Sequence, residues 1–277
     1  METIFVICEP HHCWGKFIIY PRADRKGKNT GFEVKTLWDW MDLLIIPLFL
    51  AGGAFFLNSS EKETERQRAE DRAKLEREIA TDRQQETALQ AYLDRMAELL
   101  MKENLQTTKK KSVRNVARIR TLTVLRGLDA RRKGYVAQFL YEAHLISSSK
   151  QVVSLESADL RDVNLFGEEL RSVSLDGADL RNANLGYTKL DHAVLRALLN
   201  NANLLGASLQ GANLQAAFLN DANLELANLE DADLTMAVLY RADFTKANLT
   251  GAIVSTQQLA QAKSLAGATM PDGTKHE

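Results

Sequence analysis

Disulfides cannot organise this chain of 277 residues, because it holds two cysteines, Cys8 and Cys13, both near its start. That scarcity fits a reducing compartment. Four prolines and 15 glycines are too few for a collagen-like or low-complexity chain. Histidine is scarce too, and His144, His192 and His276 stand apart from one another. There is no Gly-rich phosphate loop, no nucleophile elbow and no paired-carboxylate signature. No catalytic, cofactor-binding or metal-ligating residue and no cofactor is therefore expected, and the binding residues are unassigned. The net charge of -1 gives no overall attraction to nucleic acid. It hides an asymmetry, since residues 151–254 sum to roughly -7 and the remainder to roughly +6.

What the chain does have is a period of five. Leucine falls at 155, 160, 165, 170, 175, 180, 185, 190 and 195, slips by one residue, and resumes from Leu199 to Leu239. Phe244, Leu249 and Val254 close the series. Two residues before most of these stands alanine, with Asp or Asn between, as in Ala178-Asp179-Leu180 and Ala222-Asn223-Leu224. On an α-helix a step of five turns about 140°, so the leucines would spiral over every face. On a strand successive leucines would point to opposite faces. A chain that turns a corner every five residues returns each Leu and Ala to the inside. Gly167, Gly177, Gly206, Gly211 and Gly251 sit at the corners, where unusual backbone angles are expected.

These residues resemble the pentapeptide-repeat family, whose motif is Ala-(Asp/Asn)-Leu-X-X. The resemblance implies a right-handed quadrilateral β-helix, a solenoid with four repeats per coil. About 21 repeats over residues 153–254 then give roughly five coils. Each coil covers its leucines only by stacking on neighbours, so stability should be quasi-one-dimensional. Glu168 departs from the motif at an Ala position, Val163, Val173 and Thr188 enlarge it, and the slip falls between Leu195 and Leu199. A side chain escaping at a coil edge and a tightened corner account for these; a ligand notch is the alternative.

The preceding half divides by composition. Residues 1–36 read as a disordered tail, whose Cys8, His11, His12 and Cys13 lack a second pair at zinc-site spacing. A later start, at Met41 for example, would remove that tail. Residues 37–57, LWDWMDLLIIPLFLAGGAFFL, are long enough for a membrane span, with Trp38 and Trp40 placed for an interfacial belt. Lysine and arginine are nearly balanced on its two sides, so orientation is poorly set. Residues 58–106 form a charged helical stalk that gains an apolar stripe through Leu89, Tyr92, Leu93, Met96, Leu99 and Leu100. That stripe admits a coiled coil and a homo-oligomer but is too short to require either. Residues 107–150 read as a helical hairpin over the first coil, and 255–277 as a capping helix with a tail. The segments KTLWDWMDLLIIP, AYLDRMAELL and RTLTVLRGLDARRKGYVAQFLYEAHLI look like membrane-anchored pentapeptide-repeat proteins common in cyanobacteria. That likeness implies a single-pass membrane protein with its solenoid on the cytoplasmic side.

The function expected is non-enzymatic: a membrane-anchored interaction or scaffolding module. Its partners are lipid through residues 37–57 and an unidentified protein through the solenoid faces. The basic run Lys109–Lys111 with Arg114, Arg118 and Arg120 lacks interleaved aromatics, so it reads as a solvated face near lipid headgroups rather than a nucleic-acid site. The alternative, from the family, is an acidic rod that mimics DNA and binds a type II topoisomerase. The charge of the repeat fits it, and a membrane anchor does not.

Overall fold

The computed structural model describes residues 37–277, and of residues 37–44 only the helical backbone. The expected tail and its CEPHHC cluster lie outside the described residues. The described residues divide into two compact units, 37–78 and 79–277. Helix α1 (Leu37–Lys102) contributes to both.

In the first unit every described side chain, from Ile45 onward, is exposed. The expected membrane span, 37–57, falls only in part among the described side chains. Among the described residues no helix is long and apolar enough to cross a membrane. The apolar run Ile45–Leu57 covers about 20 Å at 1.5 Å per residue, short of a hydrocarbon core of about 30 Å. The rest of the expected span, 37–44, lies among the residues whose side chains are not described.

The second unit starts with the end of α1, which packs with α2 (Lys111–Leu125) and α3 (Ala130–Glu142). Leu89, Tyr92 and Met96 are buried among Leu125, Leu128, Val136 and Leu140. Tyr92 donates its buried hydroxyl at 2.9 Å to Thr121, which in turn donates to the Ala117 carbonyl. Asp129 caps α3 by accepting from the Arg132 amide at 2.8 Å. Arg132 then reaches Asp82 and Glu86 of α1 at 2.6 and 3.2 Å. One apolar core continues from these helices into the repeat.

The repeat folds as a stack of four-sided coils. Residues Asp159, Asn164, Glu169 and Ser174 each bridge in parallel to the residue 20 further on, and the pattern runs to Asn248↔Thr269. Each side carries one isolated bridge rather than a continuous strand, because a corner every five residues leaves little extended backbone between turns. Leu155, Leu160 and every leucine of the series to Leu249 lie inside, as do Ala158 and its equivalents. Thr188 is also fully buried, and its hydroxyl donates to the Leu165 carbonyl at 2.7 Å. Glu168 stays half-exposed at its corner.

Corner geometry explains both the glycines and the slip. The residue two after each central Leu has positive φ, and only some are glycine: Tyr187, Leu226 and Met236 adopt φ of 54°, 60° and 60°. The slipped corner lacks such a residue; Arg196 and Ala197 keep negative φ, and Asp179 bridges Leu198 after 19 residues instead of 20. Gly211 is one constrained corner, because its φ is 61° and an added Cβ would lie 2.6 Å from Nδ1 of His192. Gly211→Val should therefore lower stability by about 1–2 kcal/mol, read as a fall in the denaturant midpoint without a change of slope. A variant as stable as wild type would mean that the corner can relax.

Both ends of the stack are covered. Lys133 and Ala130 of α3 meet the first coil, the Ala130 carbonyl accepting from the Asn164 amide at 3.2 Å. Gly134 permits that approach, since a Cβ there would sit 2.6 Å from the Asn164 carbonyl oxygen. Residues 146–148 add antiparallel contacts to Ser172–Ser174. At the other end the capping helix expected within 255–277 is short, α4 (Thr256–Leu259), and it replaces one side of a coil instead of ending the stack. Gln258 donates from Nε2 to the Leu234 and Ala237 carbonyls at 2.7 and 2.9 Å. The coil then resumes: Ser264 bridges Asp243, and Thr269 pairs back with Lys275 to close the last edge.

Candidate interaction surfaces

The bridges define four outward ladders, and their side chains differ in chemistry. The first ladder stacks Asp159, Asp179, Leu198, Phe218 and Val238. Its beginning is ionic. Asp159 accepts from Arg161 at 2.9 Å and from Lys133 Nζ at 3.0 Å, and Asp179 accepts from Arg181. Its later half is apolar, with Phe218 exposed, Leu198 and Val238 half-exposed, and Tyr240 exposed beside them. Met236, 78% exposed on the adjoining corner, widens the patch. A contiguous apolar patch on an otherwise charged surface marks a contact site more than a lone leucine would.

The second ladder is amide-rich: Asn164, Asn184, Asn203 and Asn223. Asn184 donates to Asn164, and Asn203 to Asn184, at 3.1 Å each, while every Oδ1 also accepts from the backbone amide two residues on. Phe166 and Tyr187 stand at its edge with ring centres 5.5 Å apart, lying over Gly186 and Gly206. The third ladder is polar, from the Glu169–Lys189 ion pair to Asn248, which donates to Asn228 at 2.9 Å. The fourth runs Ser174, Val194, Asn213, Asp233 and Ile253.

Bases in the repeat are mostly committed. Arg171 pairs with Asp191, Arg196 with Asp176 and Arg241 with Asp221. Between Ala197 and Tyr240 there is no Lys, Arg or His, while Asp221, Glu225, Glu230, Asp231 and Asp233 all fall there. Those acids are spread around one coil, over several sides. Among the described residues no group of His, Cys, Asp or Glu is placed to hold a metal ion.

The Asp159 carboxyl is held well below the usual carboxylate range, first by the Arg161 guanidinium and also by Lys133, against the opposing effect of burial. A depressed folded value stabilises the folded state above the unfolded value near 4, and the gain is lost as pH falls through the folded value. The α3–coil junction should therefore loosen in acid below about pH 4. Protection of the α3 amides, taken relative to their intrinsic exchange rates, should fall there ahead of the mid-stack amides, and Asp159→Asn should abolish that loss. Protection along α3 that stays constant between about pH 2 and 5 would contradict the assignment.

Sequence comparison agrees with the coil geometry. The family profile for pentapeptide repeats matches residues 158–196, 196–225 and 222–255, in eight copies. No curated protein sequence matches the chain. Among solved structures, the chain is similar to HetL, a pentapeptide repeat protein involved in heterocyst differentiation regulation in the cyanobacterium Nostoc sp. strain PCC 7120. Identity is 35%, over 45% of this chain and 66% of HetL, with a TM-score of 0.24. It is also similar to the pentapeptide repeat protein Rfr23 of the cyanobacterium Cyanothece 51142, at 26% identity over 41% of this chain and 88% of that one, TM-score 0.26. QnrB1, a plasmid-mediated fluoroquinolone resistance protein, is 18% identical over 38% of this chain and 66% of its own, TM-score 0.19. At such TM-scores these likenesses carry no argument about this chain's partners. The chain spans just under two thirds of HetL's length.

Proposed function

We propose that this chain, whose residues 158–255 belong to the pentapeptide-repeat family, is a non-enzymatic interaction module that binds a protein partner along its first ladder and is held at a membrane by the start of α1. The observation that carries the binding role is the exposed apolar half-ladder Leu198–Phe218–Val238 with Tyr240 beside it. A coil fixed by backbone bonds every five residues loses little side-chain or loop freedom on binding, which favours it as a rigid platform.

The membrane role is supported by side chains that have no cover. Leu48, Phe49, Leu50, Phe55, Phe56 and Leu57 are each more than 60% exposed on one helix. A helix apolar on all sides is stable only inside protein or lipid. Together with Leu37–Leu44 the run reaches the length of a span; the cytoplasmic side for the solenoid rests on the likeness to membrane-anchored pentapeptide-repeat proteins, not on the span itself.

Two experiments separate the parts of this reading. Carbonate washing of membranes should leave the intact chain in the pellet; release into the supernatant would sink the anchor. A photo-crosslinker at Phe218 should trap a protein partner that the same group at Glu230 does not. Equal trapping at both positions would remove the first ladder from the account.

A second reading, an acidic DNA mimic acting on a type II topoisomerase, is favoured by the base-free stretch 197–240. Its weakness is geometric, because duplex phosphates recur along an axis and these acids gather in one coil. The purified chain should leave gyrase supercoiling unchanged at micromolar concentration; inhibition would promote the second reading over the first.

A further inference from the structure

A groove of about 750 Å³ runs between the end of α1 and α2, away from the repeat's ladders. Ala88 and Ala91 form its floor, and Ile119, 60% exposed, stands up on its far wall. Charges of both signs lie along it: Asp94, Arg95 and Glu98 on α1, Arg120 on α2. Arg95 and Glu98 are paired with each other at 2.6 Å. Among the described residues, neither Asp94 nor Arg120 forms an ion pair within the molecule, although Glu98 feels the Arg120 charge.

The register of the two helices follows from two contacts. Glu103 pairs with Lys110 at 3.2 Å, and Tyr92 bonds Thr121 at 2.9 Å. The helices therefore run antiparallel, and Ile119 and Arg120 lie level with Asp94 and Leu93. Knob, hole and both unpaired charges thus sit at one height on a single patch. A patch that carries its own complement is what a twofold interface requires.

We propose that this groove is the interface with a second copy of the chain, related by a twofold axis along α1. Ile119 of each copy enters the groove of the other between Ala91 and the Arg95 stem, and Arg120 meets Asp94 across the axis. Alanines on the floor let the helices approach closely, while the mixed charges make the surface attract itself. The proposal stands apart from the membrane and first-ladder readings.

The test uses the full chain in detergent or nanodiscs. A photo-crosslinker at Ile119 should join two copies, with mass spectrometry of mixed light and heavy chains mapping the adducts to Ala88–Glu98. Mass measurement should give two copies at micromolar concentration. Ile119→Glu, at an exposed site, should weaken association by on the order of thirtyfold with unchanged circular dichroism. Asp94→Arg and Arg120→Asp should each weaken it, and the double swap should restore it. A single copy at tens of micromolar, adducts mapping elsewhere or to another protein, or a double swap no better than either single one, would overturn the proposal.

Discussion

Leu209→Asp is expected to unfold the middle of the stack. Leu209 is fully buried, and its amide donates to Asn228 of the following coil at 2.7 Å. Removing the side chain alone costs about 2–5 kcal/mol. A carboxylate in its place would sit in the apolar core, and burying a charge without a partner adds several kcal/mol more. The sum rivals the roughly 5–15 kcal/mol that holds a domain folded. Because each coil covers its neighbours, protection from amide exchange should vanish on both sides of the substitution. Leu265→Asp is the control, since Leu265 is only half-buried beside the closing hairpin. It should cost far less and leave the mid-stack amides protected. Equal effects from the two changes would mean that the coils do not depend on their neighbours.

The second large effect concerns the buried ammonium between cap and coil. Lys133 is 6% exposed, and its Nζ lies 3.0 Å from both Oδ1 of Asp159 and the Arg161 carbonyl oxygen. Asp159→Ala leaves that charge with one carbonyl, a loss expected near 3 kcal/mol. Lys133→Met should cost less, because Asp159 keeps Arg161 and can turn toward water. Lys133→Met with Asp159→Leu should return most of the stability, as apolar replacements of buried pairs often do. Denaturant unfolding of the three variants reads the asymmetry directly. Comparable losses in the two single variants would show that the ammonium is not held in a desolvated site.

Much of this architecture is legible in the leucine period, because inward packing is what the period records. The slip between Leu195 and Leu199 is readable as well, and its cause is the missing positive-φ residue at that corner. Other features leave no local trace. Tyr187, Leu226 and Met236 adopt positive φ because their corners of the coil require it, so residue type does not announce it. The coil beyond α4 escapes the period because the helix inserts extra residues before Leu265 and Met270. The first ladder's apolar half is spaced by 20 residues, and appears only when equivalent sides of successive coils are aligned. The groove beside Ala88 and Ile119 depends on the pairing of two helices, which spacing within one helix cannot encode.

Whether a partner binds the first ladder is tested most directly by proximity labelling in cells. Full-length wild type is compared with Phe218→Asp/Val238→Asp, and with Glu230→Lys/Asp231→Lys on another side of the coil. These outward positions leave the core intact, which equal abundance and circular dichroism would verify. The account predicts that the first pair of substitutions removes at least one labelled neighbour that the second pair retains. Identical neighbour sets in all three proteins would contradict it.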